Sequence, residues 1–195
     1  MQIVLQILKF AHILAVVFMA WPLYALIAVN ERGRLGSPLG GWADRYMENM
    51  IKAQTIRCYI YQLTAAVTGL ALVYFRGFGL SFTFTNWVLA VKTILLLTLM
   101  SLLSYVHFSL QPRIDVLFAQ AGTNAVPEDF GAQVGPLRSR RKRLAATCLF
   151  LVITTVLLGL QVYARFNLLL TLALVVLTAL FVWRAYRTPI PFGWM

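Results

Sequence analysis

The chain has 195 residues, of which 61% are hydrophobic and only 12% are charged, and its mean hydropathy is +0.78. Soluble domains are nearer half apolar and a quarter charged, so this composition excludes an ordinary soluble protein and predicts one that crosses a membrane several times. The net charge of +11 does not indicate nucleic-acid binding, because the basic residues lie between long apolar runs, where they orient a membrane protein.

Five apolar runs are each long enough to cross a bilayer, which takes about 20 helical residues. We therefore predict an all-α, polytopic transmembrane helix bundle that forms a single domain over residues 1–195. The fourth and fifth runs almost join, but one helix through both would be about 60 Å long, twice the bilayer core, so a tight hairpin is expected. The predicted spans are approximately residues 3–29, 51–75, 84–110, 144–164 and 166–184.

Two longer connectors, residues 30–50 and 111–143, are predicted to be loops on one side of the membrane. Both contain glycine, serine and proline, and the second shows no sustained apolar period in AGTNAVPEDFGAQVGP. Trp42 and Tyr46 are expected at headgroup level, where aromatic side chains concentrate.

The basic residues predict the orientation of the bundle. Thirteen Lys and Arg residues fall on the side of these two connectors and three on the opposite side, with Lys92 left inside the membrane. The side richer in Lys and Arg is cytoplasmic, so we predict that the N-terminus is outside and the C-terminus is cytoplasmic. The expected location is the bacterial inner (plasma) membrane.

The first and third predicted spans contain ionisable residues, which mark function by default because they are costly inside a membrane. His12 and Lys92 lie roughly 12–14 Å below the same membrane face at 1.5 Å per residue, so we expect them to share a layer. Lys9 lies on the same helix face as His12. The threonines at matching depth on the other spans are Thr64, Thr68, Thr154, Thr155 and Thr171. A neutral imidazole is a good ligand for haem iron and a nearby cation can hold a propionate, so this layer predicts a haem site.

The same residues allow an interpretation without a cofactor. His12 would then hydrogen-bond a threonine or a carbonyl between helices, and Lys92 would extend toward the headgroups. The residue types leave both interpretations open.

The segment KFAHILAVVFMAWPLY in the first span, with Trp87 shortly before Lys92 in the third, resembles a superfamily of small haem-associated membrane proteins. Its members include the membrane domain of copper resistance protein D and the haem-dependent bacterial protoporphyrinogen oxidase. The resemblance implies that His12 is a haem b ligand and that Trp87 and Lys92 are pocket residues. The chain departs from the oxidase pattern at Leu26–Glu31, where a Pro-Arg segment and a histidine are missing, so we do not expect this activity. An enzyme with this resemblance would be a membrane oxidoreductase.

His107, Cys58 and Cys148 form a second predicted layer, near the cytoplasmic face. Imidazole and thiol groups can bind Cu(I) or zinc. However, no ligands recur at the spacing of a metal site, and buried cysteines often pack as small hydrophobic residues, so copper is not expected. His107 remains a candidate ligand for a second haem or a metal. It cannot share one haem with His12, because about 20 Å of depth separates them.

The basic run RSRRKR is interpreted as a topology determinant that also contacts anionic lipid, and a dock for a protein partner is the alternative. The lipid-contacting residues would be Arg138, Arg140, Arg141, Lys142 and Arg143.

Together these features predict an integral membrane protein that binds haem b and takes part in electron transfer or haem-linked redox chemistry. Two alternatives are a non-catalytic accessory subunit of a larger respiratory or photosynthetic membrane complex and a copper-handling protein. Protein partners in such a complex, or a homo-oligomer, are expected.

Overall fold

The computed structural model describes residues 2–30, 39–77, 79, 81–121, 127, 129–161 and 167–187. Within these ranges the chain is almost entirely helical and contains no strand. Five of the helical stretches are long and apolar enough to cross a membrane, which confirms the predicted all-α transmembrane class. The helices are α1 (Gln2–Val29), α2 (Trp42–Phe75), α3 (Phe82–Thr85), α4 (Trp87–Tyr105), α5 (Gln111–Gln120), α6 (Phe130–Gln161) and α7 (Leu168–Arg187).

The two loop assignments at 30–50 and 111–143 are wrong for most of the residues that the structure describes there. α2 already begins at Trp42, α5 follows directly on the third span, and α6 begins at Phe130. Apolar side chains of α5 and of the first turns of α6 pack together in a small second core. Their spacing of three to four residues is that of one helix face, which explains why these polar stretches are helical. The buried members of this core are Ile114, Phe118, Ala121, Phe130 and Val134.

A π-helical turn, Val106–Leu110, joins α4 to α5 without ending the helix. Its cause is Pro112, which has no backbone N–H and would interrupt a regular α-helix at this point. The N–H of Gln111 instead donates to the carbonyl of Val106, five residues earlier. Because this turn contains one extra residue, the helix continues through the proline. Gln111 is then buried beside Glu48 of α2.

The bundle is built around α6, which contacts α1, α4, α5 and α7. α6 and α7 are antiparallel, as the predicted hairpin requires. Gln161 donates to the Thr171 hydroxyl at one end of this pair (2.5 Å), and Lys142 donates to the Tyr186 carbonyl at the other (2.6 Å). We call the end at which α1 begins and α2 ends the His12 end, and the opposite one the Arg141 end.

The buried face of α2 alternates steps of three and four residues, the repeat with which helices pack along a shared seam. Several of its members are polar, although they lie inside an otherwise apolar bundle. The positions in this repeat are Asp44, Glu48, Ile51, Thr55, Cys58, Gln62 and Ala65, with Thr68 next. Large apolar side chains that are exposed on α1, α4 and α7 face outward, as lipid contact requires.

Candidate functional site

His12 lies where α1 packs against α2 near the His12 end, half-buried between the two helices. Its Nδ1 is 3.0 Å from the hydroxyl oxygen of Thr68. Gly69 makes this close approach possible, because a Cβ atom there would lie 3.1 Å from Cε1 of His12. The predicted depth match between His12 and Thr68 is therefore confirmed as a direct contact.

The hydrogen bonds of Thr68 favour one tautomer of His12. The single hydrogen of the Thr68 hydroxyl has two acceptors on its own helix, the carbonyl of Thr64 at 2.5 Å and that of Ala65 at 3.4 Å. When the hydroxyl donates to either of them it accepts from His12, so that Nδ1 carries the proton and Nε2 keeps its lone pair. Within the described residues Nε2 makes no hydrogen bond. This is the state in which a histidine binds a metal through Nε2 while its other nitrogen is held by the protein.

Lys92, on α4, is half-buried and close enough to His12 to interact with it electrostatically. Gly159 of α6 leaves room for it, because a Cβ atom there would lie 3.3 Å from the Lys92 Nζ. No acidic side chain or hydrogen-bond acceptor in the described part of the chain contacts this ammonium group. An intramembrane cation without an anion is costly, which makes Lys92 a candidate for binding an anionic ligand.

The other residues predicted for this layer differ in their positions. Lys9 is half-buried one turn before His12. Trp87 begins α4, but its side chain is 63% exposed, and the structure does not bring it to His12. The hydroxyls of Thr154 and Thr155 donate to carbonyls of their own helix, so their hydrogen-bonding capacity is satisfied within α6 and is not directed at a ligand.

The structure places the three residues of the second predicted layer at two separate positions. Cys58 and Cys148 line the same cavity, of about 30 Å³, in the middle of the bundle. His107 instead lies on the π-helical turn, where its ring stands edge-on to Tyr59 with 5.9 Å between ring centroids. Among the described residues no three His, Cys, Asp or Glu side chains are grouped as metal ligands would be.

A buried cluster of charges at the Arg141 end was missed from the sequence. Arg138 of α6 lies 2.9 Å from both carboxylate oxygens of Asp44 and 3.3 Å from Glu48. Arg141 pairs with Glu48 through both of its terminal nitrogens, one of them at 3.0 Å. All four side chains are at most 7% exposed. Two positive and two negative charges thus neutralise one another between α2 and α6.

Gln111 completes this cluster from the third span. Its amide nitrogen donates to Glu48 at 3.2 Å and to Asp115 at 3.1 Å, and its oxygen accepts from Arg141 at 2.8 Å. The cluster therefore joins three helices by hydrogen bonds to every charged group. We use "Arg141 cluster" for Asp44, Glu48, Gln111, Arg138 and Arg141.

The expectation that the whole basic run contacts lipid is wrong for Arg138, Arg141 and Lys142. All three are buried, and their charged ends contact the protein. Arg140 and Arg143 are exposed. A sequence signal for the cluster existed in the spacing, because Arg138 and Arg141, three residues apart, share a helix face, as do Asp44 and Glu48, four apart.

Comparison of the chain with protein-family models, with curated protein sequences and with solved structures finds no match. The resemblance described above therefore rests on its short sequence motifs alone.

Proposed function

We propose that this chain is an integral membrane protein that binds haem b at the His12 end and takes part in electron transfer or other haem-linked redox chemistry. His12 is the iron ligand, through Nε2, and Lys92 holds a propionate. Haem supplies one-electron chemistry when bound, and the residues of the chain hold and orient it.

The observation that carries the proposal is the 3.0 Å contact between Nδ1 of His12 and the Thr68 hydroxyl. With Thr68 as the acceptor of the Nδ1 proton, the Nε2 lone pair is left for a ligand. A histidine that only joined two helices would gain nothing from an unbonded nitrogen on its other side. The Thr68 contact is thus compatible with a histidine that only packs between two helices, but that interpretation gives Nε2 no role.

Lys92 supports a ligand that carries a carboxylate. Its ammonium group has no anionic partner in the ranges that the structure describes, and it acts on His12 electrostatically. A propionate would neutralise this charge, and a charge-assisted hydrogen bond contributes roughly 1.5–3 kcal/mol. Trp87 is not part of the proposal, because its side chain is largely exposed.

The two glycines beside these residues also support a built site. Gly69 lies against the His12 ring and Gly159 against the Lys92 ammonium group. A Cβ atom at either position would press on the functional group, which would have to shift by a few tenths of an ångström. Neither ring nitrogen of His107 makes a hydrogen bond within the described residues, so no group holds this ring as Thr68 holds His12. We therefore propose no haem there.

The surroundings of the bundle are part of the same proposal. We place the protein in the bacterial inner membrane with the His12 end outside, because basic residues concentrate at the Arg141 end. Arg140 and Arg143 are exposed there and contact anionic lipid headgroups, each charge contributing about 1 kcal/mol.

An absorption spectrum of the purified protein, oxidised and then reduced with dithionite, tests this function. We expect a Soret band that shifts on reduction, with close to one haem per chain. A colourless protein that co-purifies with other subunits would replace the proposal with an accessory role. A colourless protein with stoichiometric copper would replace it with copper handling.

A further inference from the structure

An open cavity of about 280 Å³ lies between α2 and α5, at the Arg141 end. This volume is close to the lower end of the roughly 300–1,000 Å³ that small-molecule sites enclose. Charged and polar side chains form most of its lining, and a phenylalanine and an alanine complete it. The lining residues are Arg45, Glu48, Asn49, Lys52, Asp115, Phe118 and Ala119.

The lining carries both signs of charge, in positions that neighbouring groups hold. Arg45 donates from Nε to the Gly40 carbonyl at 3.0 Å, and its guanidinium group lies 5.7 Å from the centre of the Phe118 ring. Asp115 accepts from the side-chain amide of Gln111 at 3.1 Å. A guanidinium group suits a phosphate and a carboxylate suits an ammonium group, so the cavity offers a partner for each half of a zwitterion.

The two acids of the lining differ in what they can offer a ligand. The carboxylate of Glu48 is neutralised inside the Arg141 cluster by Arg138 and Arg141. Asp115 instead pairs with Lys52 at 2.7 Å, and both of these side chains are partly exposed. An exposed ion pair contributes little to stability, so a ligand that brings one charge of each sign can replace it.

An aromatic stripe on α2 places the cavity at the level of the lipid headgroups. Trp42, Tyr46 and Met50 are exposed at intervals of four residues, and the centres of the first two rings are 5.7 Å apart in a stacked arrangement. Tryptophan and tyrosine concentrate at the boundary between acyl chains and headgroups. The cavity-lining Arg45 and Asn49 each precede a member of this stripe by one residue, so the stripe and the cavity lie side by side on α2.

We propose that this cavity binds the headgroup of an aminophospholipid, which carries a phosphodiester and a primary ammonium group. Arg45, Asn49 and Lys52 hold the phosphodiester. Asp115 accepts hydrogen bonds from the ammonium group, and the acyl chains pass beside the aromatic stripe. In detergent without phospholipid, Lys52 and Asp115 keep their own ion pair. The site lies in the other half of the bundle from His12 and does not depend on haem binding.

Competition between lipids tests the site. The protein is placed in nanodiscs with equal amounts of phosphatidylethanolamine, phosphatidylcholine and phosphatidylglycerol, and native mass spectrometry identifies the lipid that stays bound on release. We expect close to one phosphatidylethanolamine per chain, retained at least about threefold better than either competitor. The trimethylammonium group of phosphatidylcholine cannot donate to Asp115, and phosphatidylglycerol has no cation. Equal retention of all three, or a preference for phosphatidylglycerol, would overturn the proposal.

Two variants separate the two halves of the headgroup. Asp115→Asn should abolish the preference for phosphatidylethanolamine over phosphatidylcholine. Arg45→Gln should lower the retention of all three lipids by about threefold to fivefold, the effect of a partly exposed charge pair. Asp129→Asn and Arg113→Gln, at exposed positions that do not line the cavity, are the matched controls and should behave as the native protein does. A native preference in Asp115→Asn would contradict the proposal.

A variant without a change of charge covers misfolding of the charge variants. Ala119 is exposed and lines the cavity, so Ala119→Trp occupies the cavity and should abolish the preference. Ala53→Trp, at an exposed position of α2 outside the cavity, is its control. Excess glycerophosphoethanolamine, the same headgroup without acyl chains, should not displace the bound lipid. Displacement by this compound would assign the cavity to a water-soluble phosphate ester and overturn the proposed lipid.

Discussion

His12 has a hydrogen-bond partner inside the bundle, whereas Lys92 has none among the residues that the structure describes. A lysine at the centre of a membrane helix costs about 2.5–3.5 kcal/mol on insertion scales, and a bound anion offsets part of that cost. In our proposal the haem propionate is that anion. Removal of the Lys92 charge should therefore raise the stability of the apoprotein and lower the affinity for haem.

Lys92→Met tests this opposition. In the apoprotein we expect a higher melting temperature, because an unpaired charge is replaced by an apolar side chain of similar length. Haem affinity should fall by roughly tenfold to a hundredfold, the equivalent of a lost charge-assisted contact of about 1.5–3 kcal/mol. Thermal unfolding and haem titration of the same preparations measure both effects.

Lys52→Met is the matched control, because Lys52 is exposed and paired with Asp115 at 2.7 Å. Neither the melting temperature of the apoprotein nor the haem affinity should change much in this variant. A Lys92→Met apoprotein that is less stable than the native one would indicate that Lys92 has a structural role.

Thr68→Val tests whether the hydroxyl orients the histidine. Loss of a group that holds a metal-binding histidine typically costs about tenfold to a hundredfold in metal affinity, so haem should bind more weakly. Thr68→Ser should keep most of the affinity. Thr64→Val is the control on the same helix, because the Thr64 hydroxyl donates to its own-helix carbonyl at Ile60. Equal affinities in Thr68→Val and Thr64→Val would remove Thr68 from the site.

At the level of the helices, the Arg141 cluster explains how a bundle with long extensions stays together. α5 and the first turns of α6 carry many polar residues and bury only a small apolar core. Arg138 and Arg141 connect this part of α6 to α2, and Gln111 adds the third span. Buried ion pairs need additional hydrogen bonds of this kind to offset the loss of hydration.

Single and double variants of the central pair measure this coupling. Glu48→Met and Arg141→Met should each lower the free energy of unfolding by about 3–5 kcal/mol, because each leaves a buried charge without its main partner. The loss of unfolding free energy in the double variant should be much smaller than the sum of the losses in the two single variants. Chemical unfolding in detergent micelles measures all three.

The exposed pair Lys52–Asp115 is the control for this cycle. Pairs of this kind contribute about 0–1 kcal/mol, so Lys52→Met should have little effect on stability. Additive losses in the Glu48→Met and Arg141→Met cycle would mean that the two side chains are not energetically coupled.

The elements that the sequence predicted well are those that depend on local composition. Long apolar runs identify five spans, and the depth argument put Thr68, with several other threonines, at the level of His12, because both follow from the fixed rise of a helix. The Arg141 cluster could not be predicted in the same way. Arg138 reaches Asp44 across 94 positions of sequence, and only the tertiary arrangement of the bundle decides that pairing.

The errors have the same physical origin. A run such as RSRRKR is exposed in most proteins, so its charges were assigned to lipid. Complementary acids on α2 allow Arg138 and Arg141 to be buried, and Lys142 is buried where it donates to the Tyr186 carbonyl of α7. The third span was predicted to end near residue 110, but a π-helical turn continues the helix into α5.

At the level of the whole molecule, the distribution of exposed charge still predicts the orientation. Burial of Arg138, Arg141 and Lys142 removes three cations from the surface, but Arg140 and Arg143 remain exposed at the same end. Exposed Arg184 and Arg187 lie in the last turn of α7, also at that end. The Arg141 end is therefore expected to face the cytoplasm.

A single cysteine at position 125 tests the orientation. This position lies outside the described residues, in the connector between α5 and α6. In a variant with Cys58→Ser and Cys148→Ser, a membrane-impermeant maleimide should label it only when the cytoplasmic face is accessible. Labelling of intact cells from the outside would invert the orientation and move the His12 site to the cytoplasmic half.

The central claim is that His12 holds haem iron, and the haem content of two histidine variants tests it most directly. The chain has two histidines, so His107→Ala is a matched control for His12→Ala. His12→Ala should lose most of its haem, because no nearby side chain of α1 replaces the Nε2 lone pair, while His107→Ala should keep the native Soret band at close to one haem per chain. Full haem content with an unchanged spectrum in purified His12→Ala would contradict the account.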